Sequence, residues 1–203
     1  MKTYSLKLFQ DISHCLSSAK TSKKIFLLKN YDNTFLNEEE KNLLRSINFF
    51  DKDANYYVFS KKQSSDEKVV IYSFDKCSKK IGEIISKLPK GNYSLDTETF
   101  RNISDDVIHR FLLSSYCFDF FKSRSKIKVS LNFSEKKYQR AILLAKAEYL
   151  VRNMVNMPAN FFNTQQLAYI CKDFEKMPNV SVKETVVNSI LKKNFPLVHA
   201  VGR

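Results

Sequence analysis

The chain has little of what tight turns require. It carries three glycines, four prolines and no tryptophan in 203 residues. That excludes collagen-like and linker-dominated chains and argues against a many-turned all-β fold, since those depend on residues that take unusual backbone angles. A bilayer-length apolar run is missing too. The longest uncharged stretch, residues 153–171, is broken by Asn, Gln and Pro, whose polar groups would go unpaired in hydrocarbon. Lys7, Gln10 and Asp11 interrupt any signal-peptide core at the start, so the expected setting is the cytoplasm, with no membrane contact. The four cysteines, Cys15, Cys77, Cys117 and Cys171, form no Cys-x-x-Cys pair and have no His at ligand spacing. A zinc finger is therefore excluded, and free thiols in a reducing compartment are expected. Three scattered glycines supply neither a phosphate-cradling loop nor a nucleophile elbow.

What is present is apolar and basic. Hydrophobic residues make up 43%, with 17 Phe and 10 Tyr, enough for a real core in one ordinary domain, or in one small domain plus part of a second. Lys and Arg total 34 against 21 Asp and Glu, a net charge of +13, and 27 of those cations are lysine. A surplus of this size is able to draw phosphate backbones or anionic lipid, but compositional drift is the favoured reading. The abundance of Lys, Asn, Ile, Phe and Tyr is also what AT-rich coding DNA produces, with the lysines on solvated faces.

Strands are predicted at residues 4–9, 24–28, 56–59 and 69–74, the last a continuous apolar run suited to burial on both faces. Helices are predicted between them. Asn37-Glu38-Glu39-Glu40 starts one with a cap and three carboxylates, with Leu43, Leu44, Ile47 and Phe50 as its apolar face. A second runs over 79–88 with Ile81, Ile84, Ile85 and Leu88 on one side, stopping at Pro89-Lys90-Gly91. A third opens at Ser104-Asp105-Asp106 and carries Val107, Ile108, Phe111, Leu112, Tyr116 and Phe120. Residues 126–133 alternate as a strand. Ser134 then caps the longest helix, to about Val155, with Tyr138, Ala141, Ile142, Ala145 and Tyr149 facing inward. The alternation predicts an α/β fold, a mixed sheet flanked by helices.

That long helix ends in Arg152-Asn153-Met154-Val155-Asn156-Met157-Pro158-Ala159-Asn160, where proline withdraws a donor and the asparagines accept turn geometry. The segment resembles the Arg-Asp-x-x-Asn-Thr-Pro-Ala-Asn segment of the leucyl (cytosol) aminopeptidase family, with Asn153 and Met157 in place of Asp and Thr. About forty residues on, Phe195-Pro196-Leu197-Val198-His199-Ala200-Val201-Gly202-Arg203 is similar to the Phe-Pro-x-x-His-Ala-Val-Gly-Arg segment of a bacterial subgroup. Weaker echoes lie at residues 88–95 and 111–118. The resemblance spans 88–203 in register, while 1–87 match only as a plausible N-terminal α/β domain.

The resemblance implies an N-terminal α/β domain over 1–133, a linking helix over 134–155 and the beginning of an incomplete catalytic domain over 156–203. It also implies the family chemistry: two divalent ions, zinc or manganese, polarise a peptide carbonyl and activate a water for release of N-terminal amino acids. The family's ligands sit in Lys-Gly-x-x-x-Asp-x-Gly-Gly and Asn-Thr-Asp-Ala-Glu-Gly-Arg segments, and neither is written in these 203 residues. No catalytic, cofactor-binding or metal residue is therefore assigned. The expectation is a truncated aminopeptidase, inactive alone or part of a split enzyme, whose partners are a separate catalytic chain or aminopeptidase subunits.

Other constellations carry less. Asp51-Lys52-Asp53 and Asp105-Asp106 are short of the oxygen donors and turn glycine that calcium or magnesium loops use, and the second pair reads as a helix start. His14, His109 and His199 are far apart in sequence, so a Cys/His nucleophile pair needs tertiary proximity. Residues 122–140 hold Lys122, Arg124, Lys126, Lys128, Lys136, Lys137 and Arg140 against Glu135, interleaved with Phe121, Phe133 and Tyr138. That stretch supports the alternative reading, a basic non-enzymatic module binding nucleic acid or aminopeptidase subunits. A solvated strand face followed by a helix start, with Lys126 and Lys128 alternating with core residues, is the favoured explanation, and nothing base-reading is visible.

Overall fold

The computed structural model describes residues 12–17, 23–28, 34–51, 55–59, 68–74, 79–101, 103–121, 129–186 and 188–201. The chain divides into two compact units, one of residues 7–153 and one built mainly from 154–203.

The first unit is an α/β layer structure. Five strands, β1 (Lys23–Leu28), β2 (Asn55–Phe59), β3 (Lys68–Tyr72), β4 (Gly91–Leu95) and β5 (Val129–Asn132), form one mixed sheet in the order β2-β3-β1-β4-β5. β1 pairs in parallel with β3 (Ile25 opposite Val69) and with β4 (Ile25 opposite Leu95). β4 pairs in parallel with β5, and β2 alone runs antiparallel, against β3. Beyond β5, Ser17 N–H donates to the Leu131 carbonyl at 3.1 Å, so the turn at Ile12–Cys15 leads into a parallel bridge along that strand. The predicted strands at 24–28, 56–59 and 69–74 are present; the one at 4–9 lies outside the described residues, as do 126–128 of the one at 126–133.

The period of two sorts the core. Ile25, Leu27, Val69 and Ile71 point to one face of the sheet, and Leu28, Val70 and Tyr72 to the other. Both faces are covered, which is why β3 reads as an unbroken apolar run rather than an alternation. Helix α1 (Glu38–Ser46) covers the second face through Leu44, joined by Leu36 and Phe49. Its start is a capping box: Glu40 N–H donates to Asn37 Oδ1 at 2.7 Å, and Asn37 N–H donates to Glu40 Oε2 at 3.0 Å. Of its predicted apolar face only Leu44 is buried. The helix stops at Ser46, and Asn48 at φ 50° turns the chain so that Phe49 enters the core, leaving Leu43 and Ile47 exposed and Phe50 half-buried.

Helices α2 (Lys79–Ser86), α3 (Asp105–Ser114) and α4 (Gln139–Asn156) supply the first face. Ile81, Ile84, Ile85 and Leu88 are buried as their spacing predicts, and so are Val107, Ile108, Phe111 and Leu112. Gly82 allows α2 and α3 to touch: a Cβ there would stand 2.6 Å from the Phe111 backbone nitrogen. Ser104, expected to cap α3, makes no side-chain cap bond; its hydroxyl is buried without a partner among the described residues, and Asp105 and Asp106 meet the helix dipole instead. Helix α4 begins later than Ser134. Residues 135–138 form a turn in which Tyr138 N–H donates to the Ser134 carbonyl at 3.2 Å, and Tyr138 is buried before the helix opens.

In the second unit, Asn163 caps α5 (Thr164–Asp173) by accepting from the Gln165 and Gln166 N–H groups at 3.0 and 3.1 Å. A 3-10 turn at Phe174–Lys176 follows, then α6 (Asn188–Lys192) and α7 (Pro196–Val201). Phe195, Leu197, Val198 and Val201 are exposed, Leu197 to 80%, in keeping with the apolar character of that segment.

Candidate functional site

A concavity opens where β4 and β5 end side by side. Because the two strands are parallel, both chains leave the sheet at the same edge, the position at which open α/β sheets most often receive ligands. Residues of the segments 94–101 and 132–138, together with Ile103, line an open cleft of about 620 Å³. Phe100, Ile103 and Tyr138 form nearly buried walls, and the Phe133 ring meets the Tyr138 ring edge-on with centroids 5.7 Å apart. Ser94, Asp96, Thr97, Asn132 and Ser134 add polar groups, and Arg101 and Lys137 add two cations.

The near rim is built rigidly. Asp96 accepts hydrogen bonds from Thr99 N–H at 3.0 Å and from Thr99 Oγ1 at 3.1 Å, and Thr99 Oγ1 accepts one from Leu27 N–H at 3.2 Å. Asp96 N–H donates to the Ile25 carbonyl at 2.9 Å. The Asp96 carboxylate thus holds the chain against the end of β1, a structural task. Lys137 Nζ reaches across to the Arg101 carbonyl at 3.5 Å and lies 5.1 Å from the Tyr138 ring centroid.

The Arg152-Asn153 pair of the motif is structural. Asn153 is buried, and its Oδ1 accepts from the Tyr116 hydroxyl at 2.8 Å. Arg152 stacks over the Tyr116 ring with 5.3 Å between guanidinium carbon and centroid, and donates to the Leu113 carbonyl at 3.1 Å. Beside them the Tyr149 hydroxyl donates to the Leu112 carbonyl. Burial pushes the Cys15 thiol up to about 11, opposed by contacts with Tyr149 and Ser115, and burial likewise raises Tyr149 well above the usual phenol range. A thiol so placed is a poor nucleophile.

The other sequence candidates do not converge. Asp105 and Asp106 sit exposed at the start of α3, Asp51 lies after α1, and Asp53 is outside the described residues. His109 Nε2 lies 3.1 Å from Glu148 Oε1 but out of line for a hydrogen bond, and His199 is on α7 in the other unit. The side chain of His14 is outside the described residues, as are Lys122, Arg124, Lys126 and Lys128; Lys136, Lys137 and Arg140 are exposed after β5. Among the described residues, no group of three or more His, Cys, Asp or Glu could hold a metal ion, so these donors do not fit a two-metal centre. No described helix is long and apolar enough to cross a membrane.

The cleft was not singled out from sequence because β4 was not recognised. The available signal was the buried Tyr93 and half-buried Leu95 at a spacing of two, followed by the Asp96-x-x-Thr99 turn.

No family model matches the chain. A probable cytosol aminopeptidase from Treponema denticola is 30% identical over 118 residues, which is 53% of this chain and 24% of that protein. The chain therefore spans about a quarter of the length of that relative. Among solved structures, cytosol aminopeptidase from Coxiella burnetii superposes with a TM-score of 0.72 at 18% identity, covering 87% of this chain and 40% of that one. The bottromycin maturation enzyme BotP in complex with Mn superposes at 0.53 with 12% identity, over 77% of this chain and 36% of that one. At those identities the likeness is one of fold.

Proposed function

We propose that the chain belongs to the leucyl (cytosol) aminopeptidase family, which the likeness to the Treponema denticola and Coxiella burnetii enzymes supports, and that residues 1–203 serve as the N-terminal domain and linking helix of a metallo-aminopeptidase. In this reading the two divalent ions are held outside these residues, on another part of the enzyme or on a separate catalytic chain. The 203 residues alone do not release N-terminal amino acids.

The observation that carries the reading is the character of α4. Its Ala141, Ala145, Tyr149 and Leu150 are buried, yet Leu143, Leu144, Val151 and Val155 are exposed. Leu144, Val151 and Val155 follow at steps of seven and four, one stripe along the helix. A helix that is apolar on two sides requires cover on both. The occupant in this reading is the metal-bearing domain of the family, and the Coxiella burnetii aminopeptidase, of which this chain covers 40%, is long enough to hold one outside the shared stretch. In such an enzyme the metals would polarise the carbonyl and supply the attacking hydroxide; the role of these residues is to seat that domain.

The test pairs two measurements. The purified chain, with added manganese or zinc, is assayed on a leucyl anilide, and the expected result is no turnover. It is then mixed with the catalytic portion of the Treponema denticola aminopeptidase, and a complex is expected on size-exclusion chromatography that Leu144→Asp/Val151→Asp weakens at least tenfold. Robust turnover by the chain alone, or an association indifferent to the double substitution, would overturn the proposal.

A further inference from the structure

The cleft at the ends of β4 and β5 shares no residue with the exposed stripe of α4, and its chemistry is different. We propose that it binds a small organic anion: an aromatic ring carrying a phosphate or a carboxylate.

Three features point there. Its volume of about 620 Å³ lies within the range of small-molecule sites. Its apolar surface comes from the half-buried Phe133 and Leu95, backed by the nearly buried Phe100, Ile103 and Tyr138, and a flat ring packs there at little entropic cost. Its charge is unbalanced. Asp96 is the single carboxylate on the lining, and it is already engaged by two donors from Thr99. Arg101 and Lys137 have no carboxylate partner among the described residues, and Lys137 Nζ donates to the Arg101 carbonyl at 3.5 Å.

That last contact fixes where the lysine ammonium lies. Lys137 belongs to the turn after β5 and Arg101 to the segment after β4, so the lysine brings its ammonium to the opposite side of the cleft. An anionic group at Lys137 Nζ gains a charge-assisted interaction there, feels the Arg101 cation on the same lining, and costs only one long hydrogen bond. Asn132 and Ser134, on the lining beside Lys137, supply neutral donors to the same group. Arg101 serves a planar carboxylate and a phosphate alike.

Phenyl phosphate, benzoate and inorganic phosphate are titrated separately into the full chain, followed by amide chemical shifts at 50 and 300 mM salt. Phenyl phosphate or benzoate should saturate, shift resonances at residues 94–101 and 132–138, and bind at least fivefold more weakly in high salt. Which of the two binds more tightly identifies the anionic group. Arg101→Ala/Lys137→Ala should lower the affinity at least tenfold, while Lys137→Arg should retain most of it; both positions are exposed, so both variants fold. Absence of saturable binding by either ring compound, equal affinity for inorganic phosphate, or affinity unchanged in the double variant would each overturn the proposal. None of these readouts involves a metal or peptide turnover, so their failure leaves the aminopeptidase reading standing.

Discussion

The Tyr116 hydroxyl donates to Asn153 Oδ1 at 2.8 Å, across a sequence separation of 37 residues. The bond ties the chain just past α3 to the last turns of α4, and Arg152 closes over the Tyr116 ring from the next position. The motif at the end of the long helix therefore begins with residues that fasten the helix to the domain before it.

Removing one half of that pair deprives the other of this bond. Asn153→Ala should cost about 1–3 kcal/mol, because the Tyr116 hydroxyl loses its acceptor in a partly buried place. Tyr116→Phe should cost less, about 0.5–1.5 kcal/mol. Urea unfolding of both singles and the double should give a favourable coupling energy; strictly additive effects would show that the bond contributes nothing.

Gly82 faces the backbone of α3, where an added Cβ would meet the Val107 carbonyl oxygen and the Phe111 nitrogen. Neither can swing aside as a flexible side chain does. Gly82→Ala should destabilise by about 1–3 kcal/mol despite alanine's better helix propensity. A thermal melt unchanged from wild type would mean that α2 and α3 can separate at no cost.

Glu40 works twice. It closes the capping box of α1 and pairs with Lys68 of β3, Nζ to Oε2 at 2.9 Å, while Lys68 also donates to the Phe35 carbonyl at 2.7 Å. Glu40→Gln keeps an acceptor for Asn37 N–H and loses the charge; Glu40→Ala loses both. The alanine variant should be less stable than the glutamine variant by about 0.5–2 kcal/mol, the worth of a cap. Equal midpoints in urea would assign the whole effect to the ion pair.

Cys15 is fully buried, with its thiol raised from 9.0 to about 11. The unfolded chain gives up that proton first, so between pH 9 and 11 it binds fewer protons than the folded chain. The resulting stability is complete below pH 9 and falls as the pH rises through that window, by at most about 1.4 kcal/mol per pH unit. Tyr149, shifted in the same direction, continues the loss at higher pH. Urea midpoints from pH 8 to 10.5 should decline more steeply in wild type than in Cys15→Ala. Iodoacetamide at pH 8 should label Cys117 and Cys171, both partly exposed, long before Cys15.

Much of the sheet and its helices was legible because apolar residues recur at the periods that bury one face. Ile81, Ile84, Ile85 and Leu88 fix α2 this way, and the unbroken Val69-Val70-Ile71-Tyr72 run announced a strand covered on both sides. Where local signals were short, the reading failed. β4 has five residues behind Pro89 with Tyr93 as its one buried side chain, and Leu43 and Ile47 looked like core until Asn48 redirected the chain. The cleft was less legible still. Its two sides come from segments about forty residues apart that meet only because β4 and β5 pair in parallel, and no spacing in the sequence encodes that pairing.

The same parallel pairing separates scaffold from specificity. Every ladder bond between β4 and β5 is complete before the chain reaches Asp96 on one side and Phe133 on the other. Residues such as Thr97, Arg101, Ser134 and Lys137 are thus free to vary in size, charge or number under selection, while the strands beneath them keep their register. A lineage carrying this domain has a recess it can retune without refolding.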